Sequence, residues 1–410
     1  VRIFPAAKPL EAGKGANNMT DPLVGLGVLL GGMLTWLGWE RVELDRAVRR
    51  IPYRIHVNGT RGKSSVTRLI AAGLRAGGMA TWAKTTGSQP RIIDLLGKDH
   101  PIQRLGGAGI GEQTRFLRYF GRFYPQAVVM ECMAVQPAYQ WITEHQMIRA
   151  THGVITNVRP DHLEEMGPTL EQIARSLANT IPRRGHFFTT EKHFADLYRR
   201  IADQRGTSFH LVDPAELPEE VLRDFTYLEH RDNVALALAV CTHLGVDAEQ
   251  ALEGMRKMAP DPGALRIMRF TSLTGEPLYF ANAFAANDPQ STAQIWELVT
   301  SRPDFDPHHI AVLLNTRTDR RSRTRQLLEL VTDAIRPQRL IYIGEASAKL
   351  RKELEKQFGA NLYLFPEESQ PEEVVKTLRQ LPPHTLVFGM GNIVGRGFAL
   401  LEKLEQHQAA

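Results

Sequence analysis

Gly59, Gly62, Lys63 and Ser64 stand in the run Val57-Asn58-Gly59-Thr60-Arg61-Gly62-Lys63-Ser64-Ser65, a glycine-bearing turn closed by a Lys-Ser step. Glycines let backbone N–H groups approach phosphate oxygens, a lysine adds a point charge, and a serine hydroxyl ligates Mg²⁺. The chemistry that fits is the holding of a nucleoside triphosphate. Gly59, Thr60, Arg61, Gly62, Lys63, Ser64 and Ser65 are the expected ATP-binding residues, with Ser64 also on the metal. A strict phosphate loop would place its first glycine at position 57, where Val57 stands, so the pattern is the shorter G-T-x-G-K-S. Such a loop needs a strand before it and a helix after it. Tyr53 to Val57 alternates like a strand, and Ser64 to Ala76 carries Val66, Leu69, Ile70 and Leu74 at helical spacing.

A triphosphate site also needs carboxylates for the cation. Ala127-Val128-Val129-Met130 reads as a buried strand ending in Glu131, which puts an acid at a strand's C-terminal edge, where open α/β sheets collect ligands. Glu131 is therefore a candidate magnesium ligand. His152 to Asn157 reads as a second buried strand, followed by Asp161-His162 in a loop bounded by Pro160 and Gly167. Taken alone, either residue is more often an ordinary strand-end polar group.

Further along, Ala259-Pro-Asp-Pro-Gly-Ala-Leu-Arg266 punctuates the chain and marks a hinge. Beyond it, Pro277 to Phe284, His309 to Asn315, Arg339 to Gly344, Asn361 to Phe365 and Thr385 to Phe388 read as strands with helical patterns between them, a parallel sheet of about five strands. Loops after these strands carry Asn287-Asp288, Arg317 to Arg321 and Gly389 to Asn392. Arginine forks at Arg317 and Arg320 suit a carboxylate, and Asp288 joins them as a substrate-binding candidate. The competing reading of so basic a cluster is a solvated surface.

Asn58-Gly-Thr-Arg-Gly-Lys-Ser64, Ala83-Lys-Thr-Thr-Gly-Ser88, Asn157-Val-Arg-Pro-Asp-His162 and Gly389-Met-Gly-Asn392 occur in one order over roughly residues 51 to 400. Together they resemble the Mur ligase superfamily of ATP-dependent amide ligases, and within it the poly-γ-glutamate synthase subunits of the PgsB or CapB type. The resemblance implies an α/β chain: a central phosphate-loop ATPase domain with a parallel sheet, and a smaller Rossmann-like C-terminal domain that brings in the amino acid. It implies ATP and Mg²⁺ as cofactors, glutamate and poly-γ-glutamate as substrate and product, and an acyl-phosphate intermediate; the competing readings are another Mur-type amino-acid ligase, such as a folylpolyglutamate synthase, and a membrane-tethered phosphate-loop ATPase without ligase activity. It implies that Lys63, Glu131 and His162 are catalytic, with Glu131 and His162 on a second Mg²⁺. It further implies that Thr86 and Ser88 add a metal or phosphate contact, that Asn233 faces the nucleotide, and that Arg266 reaches the phosphates. A capping role suits Asn233 equally well. Many superfamily members have a carbamylated lysine about fourteen residues after the histidine, but position 176 here is Ser176. Glu131 and His162 must then do more of the coordination. Membrane partners, as further subunits of a synthesis and export complex, are also implied.

The 410 residues suffice for two or three domains, and the division expected is a tail over 1–18, a hydrophobic anchor and basic helix over 19–50, an ATP-binding domain over 51–262 and a glutamate-ligase domain over 263–410. Cys132 and Cys241 are the two cysteines, without a C-x-x-C pair, so structural zinc and a disulfide framework are both not expected. A net charge of +5 is too small to argue from, and no aromatic-basic groove for nucleic acid is visible. Leu23 to Trp39 is uncharged, closed by two tryptophans and followed by Arg41, Arg46, Arg49, Arg50 and Arg54. It reads as a short membrane anchor with the catalytic domains kept in the cytoplasm, although its helical length of about 25 Å falls short of a ~30 Å bilayer core. A buried or oligomer-forming helix is the competing reading, and self-association of the chain is expected.

Overall fold

The apolar runs of this sequence are short and nearly continuous, and such runs form strands buried on both faces by crossover helices. The structure, a computed structural model, describes residues 22–407 apart from 88–89, 105, 226, 228, 261–264, 266, 285–288, 301–306, 317–320 and 394–395. The first sheet is built from β1 (Tyr53–Asn58), β2 (Thr81–Thr85), β3 (Arg91–Ile93), β4 (Asp99–Pro101), β5 (Ala127–Glu131), β6 (His152–Ile155), β7 (His186–Thr189) and β8 (Ser208–Leu211), in the order β4-β3-β2-β5-β1-β6-β7-β8. Strands β2, β5, β1, β6, β7 and β8 are mutually parallel, and the β3–β4 ribbon is antiparallel at one edge. The second sheet holds β9 (Ile267–Thr271), β10 (Pro277–Asn282), β11 (His309–Asn315), β12 (Arg339–Ile343), β13 (Leu362–Phe365) and β14 (Thr385–Gly391), ordered β13-β12-β11-β14-β10-β9. It is parallel except for β9, which pairs antiparallel with β10.

The expected five strands of the second half are all present, and β9 is an addition. Its sequence, Ile-Met-Arg-Phe-Thr, has buried Met268 and Phe270 alternating with more exposed neighbours, a pattern overshadowed by the proline-rich hinge just before it. Of that hinge, residues 261–264 and 266 lie outside the described residues, and so does the tail expected over 1–18.

Helix α1 (Pro22–Arg50) corrects the expectation for the N-terminus. Among the described residues no helix is long and apolar enough to cross a membrane. The uncharged stretch is diluted by Gly25, Gly27, Gly31, Gly32 and Gly38, and the same helix runs on without a break into Glu40, Arg41, Glu43, Asp45 and Arg46. Its last turns are part of the globular core: Leu44 and Val48 cluster with Trp82, Phe120, Val128 and Met130. Of the arginines read as a membrane flank, Arg54 has internal work. Arg54 donates to the carbonyls of Val48 (3.1 Å), Ile51 (2.6 Å) and Arg149 (3.0 Å), and so closes the C-terminal end of α1. The membrane localisation inferred from this segment falls with it. Trp36 and Trp39, each 56% exposed, lie on a half of α1 that stands clear of the core.

Candidate active site

The loop between β1 and α2 (Lys63–Ala76) is shaped by two glycines that no other residue could replace without displacement. Gly59 has φ +133°, and a Cβ there would lie 2.0 Å from Thr156 Oγ1 and 2.9 Å from the Thr156 backbone nitrogen. Gly62 has φ +79°, and its Cβ would lie 2.6 Å from Asn233 Oδ1. The loop is therefore wedged between the end of β6 and the first turn of the Arg231–His243 helix.

Asn157 shapes the same loop through hydrogen bonds. Its Oδ1 accepts from Thr60 Oγ1 (2.7 Å) and from the Arg61 N–H (3.1 Å), while its Nδ2 donates to the Arg61 carbonyl (3.1 Å). Thr156 Oγ1 donates to that carbonyl as well, at 2.6 Å. Lys63 curls over the turn and donates to the carbonyls of Gly59 (2.7 Å) and Thr60 (3.3 Å). The result is a turn of backbone fixed before any ligand arrives, leading into the N-terminus of a 14-residue helix with its unpaired amides and partial positive charge.

Glu131 ends β5 beside Val57 of β1 and is 2% exposed. Its Oε2 accepts from Ser64 Oγ (2.8 Å) and from the Thr86 N–H (2.6 Å), and its own carbonyl accepts from Gln113 Nε2 (2.9 Å). Residues 22, 45 and 67 positions apart are thus joined at one carboxylate because β2, β5 and β1 are neighbours in the sheet. A hydroxyl and a carboxylate are hard oxygen donors of the kind Mg²⁺ takes, and the glycine cradle leaves room for phosphate against backbone amides. The residues present fit both groups.

His162 opens the Leu163–Met166 turn of helix in a left-handed conformation, φ +46°, with half its side chain exposed. Asp161 lies 3.8 Å from the Arg61 guanidinium, which brings this loop to the flank of the phosphate turn. The polar neighbours of His162 among the described residues are Asp161 (3.9 Å) and Glu165 (3.8 Å), and no hydrogen bond ties it to Glu131 or Lys63. Asn233, 5% exposed, donates from Nδ2 to Glu229 Oε1 at 2.7 Å while its Oδ1 faces Gly62. Burial pushes the Glu229 carboxyl above its ordinary value against these hydrogen bonds. Ser65 sits in the first turn of α2. Arg266, Asp288, Arg317, Arg320 and Ser88 lie outside the described residues.

Sequence reading missed a buried ion triad beside Glu131. Lys84, fully buried in β2, is 2.8 Å from Glu112 Oε1 in α3 (Gly111–Phe120), and Arg104 grips the same carboxylate at 2.7 and 3.0 Å. Burial lowers the basicity of Lys84, opposed by Glu112 and by the nearby charge of Glu131. Burial alone would raise Glu112, yet the hydrogen bonds from Arg104 and Lys84 bring its carboxyl down to about 2. The one available signal was a lysine inside a short strand with no other charge, since an unpaired buried cation is not tolerated.

Comparison with known proteins bears on the same regions. Residues 57–181 match the Mur ligase middle domain, and residues 267–407 match the poly-gamma-glutamate synthase CapB C-terminal domain. The chain is 39% identical over 375 residues to the capsule biosynthesis protein CapB of Bacillus anthracis, covering 90% of this chain and 80% of that one. It is 37% identical over 374 residues to the PGA synthase CapB of Bacillus subtilis, covering 90% and 94%. In fold it is similar to E. coli FolC in complex with ADP (TM-score 0.64, 17% identity, 91% of this chain and 97% of that one) and to MurF of Acinetobacter baumannii (TM-score 0.66, 15% identity, 90% and 80%). With two consecutive family matches and relatives this similar along nearly its whole length, the chain belongs to the CapB family of poly-γ-glutamate synthases, on a Mur-ligase-type fold.

Proposed function

We propose that Lys63, Ser64 and Glu131 form the ATP- and Mg²⁺-binding centre of an amide ligase that lengthens poly-γ-glutamate one γ-amide bond at a time. The observation that carries this reading is the convergence of Ser64 Oγ and the Thr86 amide on one buried carboxylate next to a preformed phosphate turn. Mg²⁺ held by Ser64 and Glu131 would neutralise charge on the transferred phosphoryl group. Lys63 adds a fixed positive charge, and the backbone amides of residues 59 to 65 hold the phosphates in line.

A carboxylate is a poor acyl donor at neutral pH. In the first step the γ-carboxylate oxygen of the growing chain attacks the γ-phosphorus of ATP, the bond to the β,γ-bridging oxygen breaks, and ADP leaves. In the second, the neutral amine of the incoming glutamate attacks the acyl phosphate, the C–O bond to phosphate breaks, and one proton is released with inorganic phosphate. His162 would assist the metal from the Asp161–His162 loop, and Asn233 and Arg266 would face the nucleotide. Asp288, Arg317 and Arg320 would receive the incoming amino acid from the 263–410 domain, which closes on the 51–262 domain about the segment after Pro260 and excludes water from the intermediate. Association with further subunits and with a second copy of the chain belongs to the same reading, and the exposed apolar half of α1 is the surface that supports it.

The test is a hydroxylamine trap. ATP, Mg²⁺ and short poly-γ-glutamate should yield γ-glutamyl hydroxamate and one ADP per hydroxamate. ADP formed without any hydroxamate would leave an ATPase and remove the ligase.

A further inference from the structure

The end of the first sheet opposite the phosphate turn carries a cluster of imidazoles that the ligase reaction does not use. His152 begins β6 and His186 begins β7, and the two are register partners on parallel strands. His210, on β8, is the partner of Phe188, two residues along from His186, so the pleat returns it to the same face. The Arg231–His243 helix packs over that face and delivers His243 from its last turn. One ring nitrogen from each of His152, His186 and His243 lies within 4.8 Å of the others. His186 Nδ1 is 3.3 Å from His210 Nε2, and the His186 and His243 ring centroids are 4.2 Å apart.

We infer that His152, His186 and His243, with His210 or water completing the shell, form a binding site for a divalent transition-metal ion of the zinc type. The donor set is nitrogen only, which suits Zn²⁺ and its first-row neighbours and not the oxygen-seeking Mg²⁺ of the nucleotide centre. Tetrahedral coordination at 2.0–2.1 Å places ligand nitrogens about 3.4 Å apart, so nitrogens now within 4.8 Å of one another close by at most about 1.4 Å on metal binding. The half-exposed His186 and exposed His243 have the freedom to make that movement, while buried His152 stays fixed. The anchor is already oriented. His152 Nδ1 is 2.9 Å from Thr151 Oγ1, and that hydroxyl can donate onward to the Arg54 carbonyl at 3.2 Å. With Nδ1–H donating to Thr151, Nε2 carries the lone pair a metal needs, the usual arrangement of an oriented histidine ligand. Burial, and then the repulsion of the other rings, holds His152 down to about 3, and burial first and the neighbouring rings second keep His186 and His210 below their ordinary values. The ion would staple β6, β7 and the Arg231–His243 helix, the same helix whose other end presents Asn233 to Gly62.

The experiment uses the full chain without a histidine tag, freed of metal with a chelator and titrated with Zn²⁺ against a chromophoric competitor in the presence of excess Mg²⁺. The expected result is one tight equivalent, weakened at least ~10-fold by His243→Ala and by His186→Ala. His384→Ala, which breaks a separate tilted ring pair with His308 at 4.9 Å, should leave it unchanged. Co²⁺ in place of Zn²⁺ should give the intense visible absorption of a tetrahedral ion, lost in the His243→Ala protein. Absence of a stoichiometric equivalent, or tight binding and a Co²⁺ spectrum that survive both His243→Ala and His186→Ala, would overturn the site. None of these readouts depends on ligase activity.

Discussion

Replacing Glu131 by Gln keeps the size and shape of the side chain but removes its charge and half of its accepting capacity. The wild-type Oε2 serves two donors at once, Ser64 Oγ at 2.8 Å and the Thr86 N–H at 2.6 Å. An amide oxygen turned toward them still accepts, yet without the ionic component that makes a charged acceptor roughly twice as strong. Turned the other way, the amide NH₂ faces two donors and leaves them unsatisfied in a site 2% exposed, at a cost of about 1–3 kcal/mol. Either way the ligand-free fold loses stability, and a metal ligand stripped of its charge also binds more weakly; taking about 2 kcal/mol for the lost contact to a charged group, the Mg²⁺ concentration giving half-maximal ADP release should rise roughly 30-fold. Ser64→Ala removes one end of the same contact, so the double variant should fall short of the sum of the single effects by about 0.5–3 kcal/mol. The assay is steady-state ADP release over a Mg²⁺ titration, with a thermal melt of each variant to confirm folding. A half-saturation shift below about 3-fold in a folded Glu131→Gln protein, or full additivity with Ser64→Ala, would refute the assignment of a metal-binding carboxylate.

Lys63→Ala should abolish phosphoryl transfer while leaving the melting midpoint within a degree or two of wild type, and near-normal ADP formation would contradict the proposed centre. Gly59→Ala must place a Cβ 2.9 Å from a backbone nitrogen at a φ of +133°, a conformation costing about 1–3 kcal/mol for a non-glycine residue, so calorimetry should show a midpoint lower by several degrees. The Glu112 carboxyl, held at about 2 when folded against an ordinary 4.5, contributes stability that is complete above pH 4.5 and lost as pH falls toward 2. Glu112→Gln should therefore lower the unfolding midpoint at pH 7 and flatten the acid limb between those values; an acid limb as steep as wild type would show that the triad is not its source.

Strand, turn and helix around Lys63 were legible because each is encoded locally: alternation before the turn, two glycines within it, and helical spacing after it. Glu131 was legible for a related reason, since an acid closing an apolar run has one place to go. The Lys84–Glu112–Arg104 triad was not, because its members come from β2, α3 and the segment between β4 and α3, and only the folded sheet edge brings them together. The histidine cluster is harder still. His152, His186, His210 and His243 are spread over four elements, and nothing short of the order β6-β7-β8 with a helix across it reveals that they meet. The N-terminal segment misled because an uncharged stretch with an arginine flank reads as an anchor by charge alone, while its five glycines leave the helix too weakly apolar to cross a membrane. The hydrogen bonds of Arg54 to the helix-end carbonyls were not legible either, since they depend on where the chain returns in space.

Arg159 ties the loop after β6 to both halves of the molecule. Its backbone N–H donates to Thr60 Oγ1 at 2.9 Å, and its guanidinium donates to Gln294 Oε1 at 2.8 Å on the Pro289–Thr300 helix that follows β10. The second of these is solvent-facing and weak enough for thermal motion to break and remake it. A residue rooted in the turn and reaching across to the neighbouring lobe acts as a latch, so in the proposed ligase any displacement of Thr60 on nucleotide arrival would be passed through Arg159 to the Pro289–Thr300 helix.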